Sequence, residues 1–129
     1  MDKVLIVEDN EVIARLWDMT LREAGFGVAL AETGQQALDK IRSENPDLIL
    51  LDLVMPDLDG FEIFEKILED PVHCHIPVIF LTNYSERADI TRALAMGAAD
   101  FIVKANILPE ELVEKIRASI DRVREKRGA

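Results

Sequence analysis

Along the chain, short unbroken apolar runs alternate with stretches whose apolar residues recur at helical spacing. Residues 4–7, 48–51, 76–81 and 101–103 are apolar runs of strand length, and residues 26–31 make a weaker one. Such runs, bounded by turn residues, mark strands covered on both faces, as in a parallel sheet. Between them, steps of three and four residues trace single helix faces. The first predicted helix presents Ile13, Leu16, Trp17, Thr20 and Ala24, with a cap at Asp9 or Asn10 and a stop at Gly25. Thr33 and Gly34 open a second, carrying Ala37, Leu38 and Ile41, and Asn45-Pro46 ends it. Residues 60–70 predict a third helix, with Phe61, Phe64, Ile67 and Leu68 on one side and Pro71 closing it. Ser85 is the expected N-cap of a fourth, which runs through Ile90 and Leu94 to Gly97. Pro109 starts a fifth, aligning Leu112, Ile116, Ile120 and Val123; Leu108 lacks a capping side chain, so Asn106 is expected to cap one turn earlier.

Strands and helices alternating with short connections predict an α/β domain of (βα)5 type, a doubly wound five-stranded parallel sheet with helices on both faces. No linker, repeat or low-complexity segment is visible, so residues 1–129 are expected to form one domain, with no output domain after the last helix. No apolar run approaches the ~18 residues of a membrane span, and Met1 leads into the first strand without a signal peptide. A lone cysteine, Cys74, fits a cytoplasmic setting. The formal net charge is −10, unevenly spread: residues 115–129 hold six Lys/Arg against two Asp/Glu. An acidic body argues against direct nucleic-acid binding, and the basic tail reads as the last turns of a helix, where cations suit the dipole.

Chemistry concentrates where the apolar runs stop. Glu8 and Asp9 follow the first strand, Asp52 the third, Thr82 the fourth and Lys104 the fifth. In a right-handed parallel α/β fold these strand ends share one edge, where such sheets bind ligands. Carboxylates gathered there repel by roughly 4 kcal/mol per pair at about 4 Å and an effective dielectric near 20. A hard divalent cation such as Mg2+ would compensate. With Lys104 as a second positive group and Thr82 as a donor, the cage suits a phosphoryl group in transfer, with Asp52 as nucleophile. A cluster that only caps helices would account for any one of these residues, but not for all of them at successive strand exits.

Glu8-Asp9, Asp52, Met55-Pro56, Asp59-Gly60, Thr82 and Lys104 together resemble the receiver domain of bacterial two-component response regulators, the CheY-like family. The likeness covers essentially the whole chain and implies a flavodoxin-like strand order of 2-1-3-4-5. It implies that Asp52 accepts phosphate from a histidine kinase or phosphotransfer protein. Mg2+ would be held by Asp9 and Asp52, by Glu8 through water, and by the backbone carbonyl of Val54. Lys104 would pair with the phosphoryl oxygens, Thr82 would move to bond them, and Phe101 would turn inward behind it. That motion would carry the signal to an unknown protein target through the face of the fourth helix, fifth strand and fifth helix, in a monomer or a weak homodimer through that face.

Some positions depart from the family pattern. Glu8 stands where Asp is commoner. Lys104 is followed by Ala105 rather than proline, and a cis Lys104–Ala105 peptide is expected because the loop has the same task. Asn83 replaces a small residue. Val54 and Tyr84 occupy positions that tune phosphate lifetime in such proteins, and their bulk predicts a long-lived phosphoryl state. Elsewhere, His73-Cys74-His75 reads as loop rather than metal site, Trp17 as core, and Asp57 and Asp59 as loop and capping residues. Arg87, Asp89 and Arg92 read as a solvated face. Competing functions are a Mg2+-dependent phosphohydrolase, for which Val54 takes the place of the second acid, and a receiver-like adaptor that works without phosphate. A flavodoxin-like cofactor carrier is disfavoured because Glu8-Asp9-Asn10-Glu11 would repel phosphate.

Overall fold

A computed structural model describes residues 1–83 and 86–128. The elements in order are β1 Lys3–Val7, α1 Glu11–Glu23, β2 Gly27–Ala31, α2 Gly34–Glu44, β3 Leu48–Leu51, α3 Gly60–Glu69, β4 Val78–Thr82, α4 Arg87–Ala95, β5 Asp100–Val103 and α5 Pro109–Gly128. All strand pairs are parallel, in the order β2-β1-β3-β4-β5 that the resemblance implied. Leu5 faces both Ala29 and Ile49 across the ladder, and Val7 faces Ala31 and Leu51. This in-step register brings the strand ends out along one edge.

The apolar runs divide by strand alternation between two cores. Leu5, Val7, Ile49, Leu51, Val78 and Phe80 face α2, α3 and α4, while Val4, Ile6, Leu48, Leu50, Ile79 and Leu81 face α1 and α5. Two helix faces differ from expectation. Helix α1 buries Ala14, Trp17 and Leu21, with Trp17 and Leu21 in the core beneath the sheet, and leaves Leu16 54% exposed. Helix α3 buries Ile63 as well as Phe61, Phe64 and Ile67, and Leu68 is 38% exposed at its rim.

The helix ends follow local chemistry. The Asn10 side chain accepts the N–H groups of Val12 and Ile13, at 3.0 and 3.1 Å, and so caps α1. Gly25, at φ +97°, supplies the left-handed residue that ends it. Thr33 caps α2 through Gln36 N–H, and Asn45 closes that helix in the left-handed region. Asn106 does not cap α5. It belongs to a 3-10 turn, Lys104–Asn106, and Leu108 takes the cap position while the Glu111 side chain accepts Leu108 N–H at 3.3 Å. The Lys104–Ala105 peptide, expected to be cis, is trans, since no cis bond occurs among the described residues. The 3-10 turn redirects the chain without the roughly 2.5–4 kcal/mol that a non-prolyl cis bond costs. Ser85, the expected cap of α4, lies outside the described residues. The basic end of α5 is tied back through Arg124, which pairs with Asp2 and approaches Asp47 at 3.7 Å.

Of the described glycines, Gly60 is the most closely hemmed in. A Cβ there would lie 2.7 Å from the carbonyl oxygen of Asp52 and 2.8 Å from Leu53 Cα, both backbone atoms that cannot step aside. Its N–H donates to Leu53 O at 2.7 Å, locking the start of α3 against the exit of β3. Gly60→Ala is therefore expected to destabilise the protein by about 1–3 kcal/mol, the usual range for overpacking. Urea denaturation measures this, and an unchanged midpoint would contradict the close approach.

Candidate functional site at the C-terminal edge of the sheet

Four of the five parallel strands, β1, β3, β4 and β5, deliver polar residues to the same edge. Glu8 follows β1, and its N–H remains on the ladder, donating to Ala31 O at 3.0 Å. Asp52 follows β3 and is held the same way by Val7 O at 3.1 Å. One oxygen from each of Glu8, Asp9 and Asp52 lies within 4.8 Å of the others. Glu8 and Asp52 are buried, at 4% and 9% exposure, while Asp9 faces solvent.

Lys104 joins them from the end of β5. Its ammonium donates to Glu8 Oε1 and, at 3.0 Å, to Asp52 Oδ2. The other Asp52 oxygen accepts Val54 N–H at 3.2 Å. Thus part of the repulsion that seemed to require a divalent cation is already balanced within the protein. What remains shows on Glu8. Burial, with the adjacent Asp52 carboxylate, pushes its pKa up to about 7, although Lys104 pulls the other way. Burial alone would lower the pKa of Lys104, but bonds to Glu8 and Asp52 outweigh it and raise the value.

The donor set fits a hard cation. Three carboxylates offer oxygen ligands from one small volume, with no sulfur or imidazole among them, as Mg2+ prefers. Among the described residues, the His73-Cys74-His75 stretch forms no group of three or more ligands close enough to share a metal ion. His73 Nδ1 lies 2.8 Å from Asp70 Oδ2 within the loop between α3 and β4, and Cys74 is exposed.

Around the acids, Thr82 is completely buried at the end of β4. Phe101 lies opposite Phe80 in the ladder, half-buried, with ring centroids 5.9 Å apart. Val54 is 52% exposed on the loop after Asp52, and Asn83 is exposed. Tyr84 lies outside the described residues.

Two residues do more than their sequence context indicated. Asp57 caps not a neighbouring element but α2, accepting Gly34 N–H at 2.7 Å and Gln35 N–H at 3.0 Å. No local pattern reveals a cap supplied from 23 positions away. Arg92 is not simply solvated: its guanidinium lies 4.1 Å from the centroid of the Phe61 ring and 3.6 Å from Glu65, joining α4 to α3. Asp59 does cap α3, through Glu62 N–H at 2.9 Å.

Residues 4–117 match the family model of the response regulator receiver domain. The transcriptional regulatory protein CreB of Escherichia coli is 37% identical over 123 residues, which are 95% of this chain and 52% of that protein. The DNA-binding response regulator MtrA of Mycobacterium tuberculosis is 34% identical over 120 residues, 93% of this chain and 51% of that protein. The chain thus spans about half the length of the curated relatives it matches. Among solved structures, a CheY-like response regulator receiver domain protein from Methanospirillum hungatei superposes with a TM-score of 0.90 at 29% identity, covering 98% of both chains.

The raised pKa of Glu8 has a measurable consequence. Between about pH 4.5 and 7 the folded protein keeps a proton that the unfolded chain has released, so the contribution of Glu8 to stability falls as pH rises through that window. Glu8→Gln abolishes this titration. In chelator-containing buffer its stability relative to the parent is expected to improve by on the order of 1–3 kcal/mol from about pH 5 to about pH 8. Thermal melts across that range test it, and a gap independent of pH would show that Glu8 titrates normally.

Proposed function

Because the chain belongs to the response regulator receiver family of two-component systems, we propose that it is a phosphorylation-driven switch with Asp52 as the acceptor. The observation that carries this reading is the Lys104 ammonium 3.0 Å from Asp52 Oδ2, within a nest of acids suited to a divalent cation. A carboxylate held between a fixed cation and a place for a second one is equipped to receive a highly charged group.

In this reading an Asp52 carboxylate oxygen attacks the phosphorus of a phosphohistidine on a histidine kinase or phosphotransfer protein. The P–N bond breaks, and its electron pair stays on the imidazole nitrogen, which takes up a proton. Asp9, Asp52, the Val54 carbonyl and Glu8 (through water) would hold Mg2+, which when bound neutralises charge on the phosphoryl oxygens. Lys104 transfers its contact from the carboxylates to a phosphoryl oxygen. The hydroxyl of Thr82 supplies a further hydrogen bond, and Phe101 follows it inward.

An exposed apolar face supports a docking place for the donor. Val12, Leu16 and Met19 are 79%, 54% and 58% exposed and form one apolar stripe along α1, the helix that begins just after Asp9. A helix of the donor protein laid along that stripe would bring its histidine to Asp52. In this reading the chain works in the cytoplasm, beside its donor. Output passes through the α4-β5-α5 face, to a protein target or a second copy. To move the protein from about 1:99 to 99:1 between its two states, the phosphoryl group must favour one by about 5.5 kcal/mol.

Asp52→Asn is expected to abolish labelling by acetyl phosphate in the presence of Mg2+, as followed by intact-protein mass spectrometry. Undiminished labelling would place the acceptor elsewhere. A phosphohydrolase would release phosphate over many turnovers, whereas Val54 offers no acid for that step. Val54 shields the acceptor with a bare apolar side chain, so Val54→Asn is expected to shorten the life of the acyl phosphate several-fold. Decay as slow as in the parent would remove Val54 from that role.

A further inference from the structure

The loop between β3 and α3 carries Asp52 at its start and Val54 two residues later, so its position sets the geometry of the site. It is fixed at three places. Leu53 and Met55 point into the core, at 7% and 8% exposure, and leave Val54 outside between them. At the far end, Gly60 N–H bonds Leu53 O, and Asp59 caps α3. In the middle, Asp57 reaches out of the loop to the first turn of α2, with Oδ1 on Gly34 N–H and Oδ2 on Gln35 N–H.

That third fixing is more than α2 requires for its own sake. Thr33 already caps the helix through Gln36 N–H at 3.1 Å. Asp57 takes the next two free amides, and these are the positive end of the helix dipole. The Gly34 amide, above all, holds its carboxyl below the usual range. The approach is close enough to demand glycine: a Cβ on Gly34 would lie 2.9 Å from Leu58 Cβ and 3.1 Å from Asp57 Oδ1.

We infer that Asp57 is a positioning residue for the acceptor site: by tying the loop after Asp52 to the N-terminus of α2, it holds Val54 and Asp52 in the arrangement that a divalent cation and a phosphoryl group require. The inference rests on the reading of Asp52 as acceptor. It differs from simple capping in one respect. Loss of the Asp57 bonds frees the middle of the loop between its two other fixings, whereas loss of the Thr33 cap weakens α2 but leaves all three in place.

The full chain is compared as parent, Asp57→Ala, Asp57→Asn and Thr33→Ala. Mg2+ binding to the unphosphorylated protein is measured by titration calorimetry, thermal stability by melting, and labelling by acetyl phosphate at saturating Mg2+. Asp57→Ala is expected to weaken Mg2+ binding by about tenfold, as loss of groups that orient metal ligands does. Asp57→Asn keeps one acceptor oxygen and is expected to fall between it and the parent. Thr33→Ala is expected to lower the melting temperature while binding Mg2+ as the parent does. Parent-like Mg2+ binding in both Asp57 variants overturns the inference. So does an equal loss in Thr33→Ala, which would reduce Asp57 to a cap, and so does a parent that binds no Mg2+. If the expected binding pattern appears but the parent takes up no phosphate, the acceptor reading falls and the positioning role of Asp57 stands.

Discussion

One ammonium group between two buried carboxylates holds the working edge of this protein together. Glu8 and Asp52 have lost most of their water, and a bare pair of carboxylates in that setting would not both stay ionised. Lys104 lets them approach, and they in turn raise its pKa against the burial that would lower it. The balance is incomplete, because Asp9 adds a third carboxylate and Glu8 holds its proton to near neutrality. The site is therefore poised rather than satisfied, and a second cation has electrostatic work left to do. Sheet register, the strand-end backbone bonds of Glu8 and Asp52, and the turn after β5 all serve to bring these three side chains to one place.

Most of the fold was legible because a parallel sheet writes itself as continuous apolar runs, and because each run ends at a polar residue whose position is dictated by the ladder. Glu8, Asp9, Asp52 and Lys104 were readable as a group for the same reason. Other features depended on how elements lie against each other. Leu16 and Leu21 both fit helical steps along α1, and only the way the helix lies on the sheet decides that Leu21 goes inside with Trp17. Leu68 and Ile63 exchanged roles on α3 in the same way. The Asp57 bonds to Gly34 and Gln35 and the stacking of Arg92 on Phe61 join separate helices and loops, so no local signal announces them. At Lys104–Ala105, analogy with a proline-bearing loop led away from the trans peptide that the residues themselves favour.

The glycines at the two helix starts show how closely this edge is built. Gly34 and Gly60 are needed for the absence of a side chain, since Leu58 approaches one and the backbone of Asp52 and Leu53 approaches the other. Between them they let α2 and α3 press on the same short loop. From there the rings of Phe61, Phe80 and Phe101 continue in contact across the sheet, with centroid spacings of 5.5 and 5.9 Å, and Arg92 covers the outer end. The start of α3 thus adjoins packed aromatic surface rather than solvent.

The bond from Lys104 to Glu8 spans 96 positions and that to Asp52 spans 52. Contacts of such sequence separation close late, after the entropy of a long loop has been overcome. Until β5 takes its place beside β4, the two acids stand at the end of a partly formed sheet without their cation, and their repulsion opposes burial. Docking of the last strand is therefore also the moment of charge neutralisation, and a chain that has not completed its fold does not present a finished site.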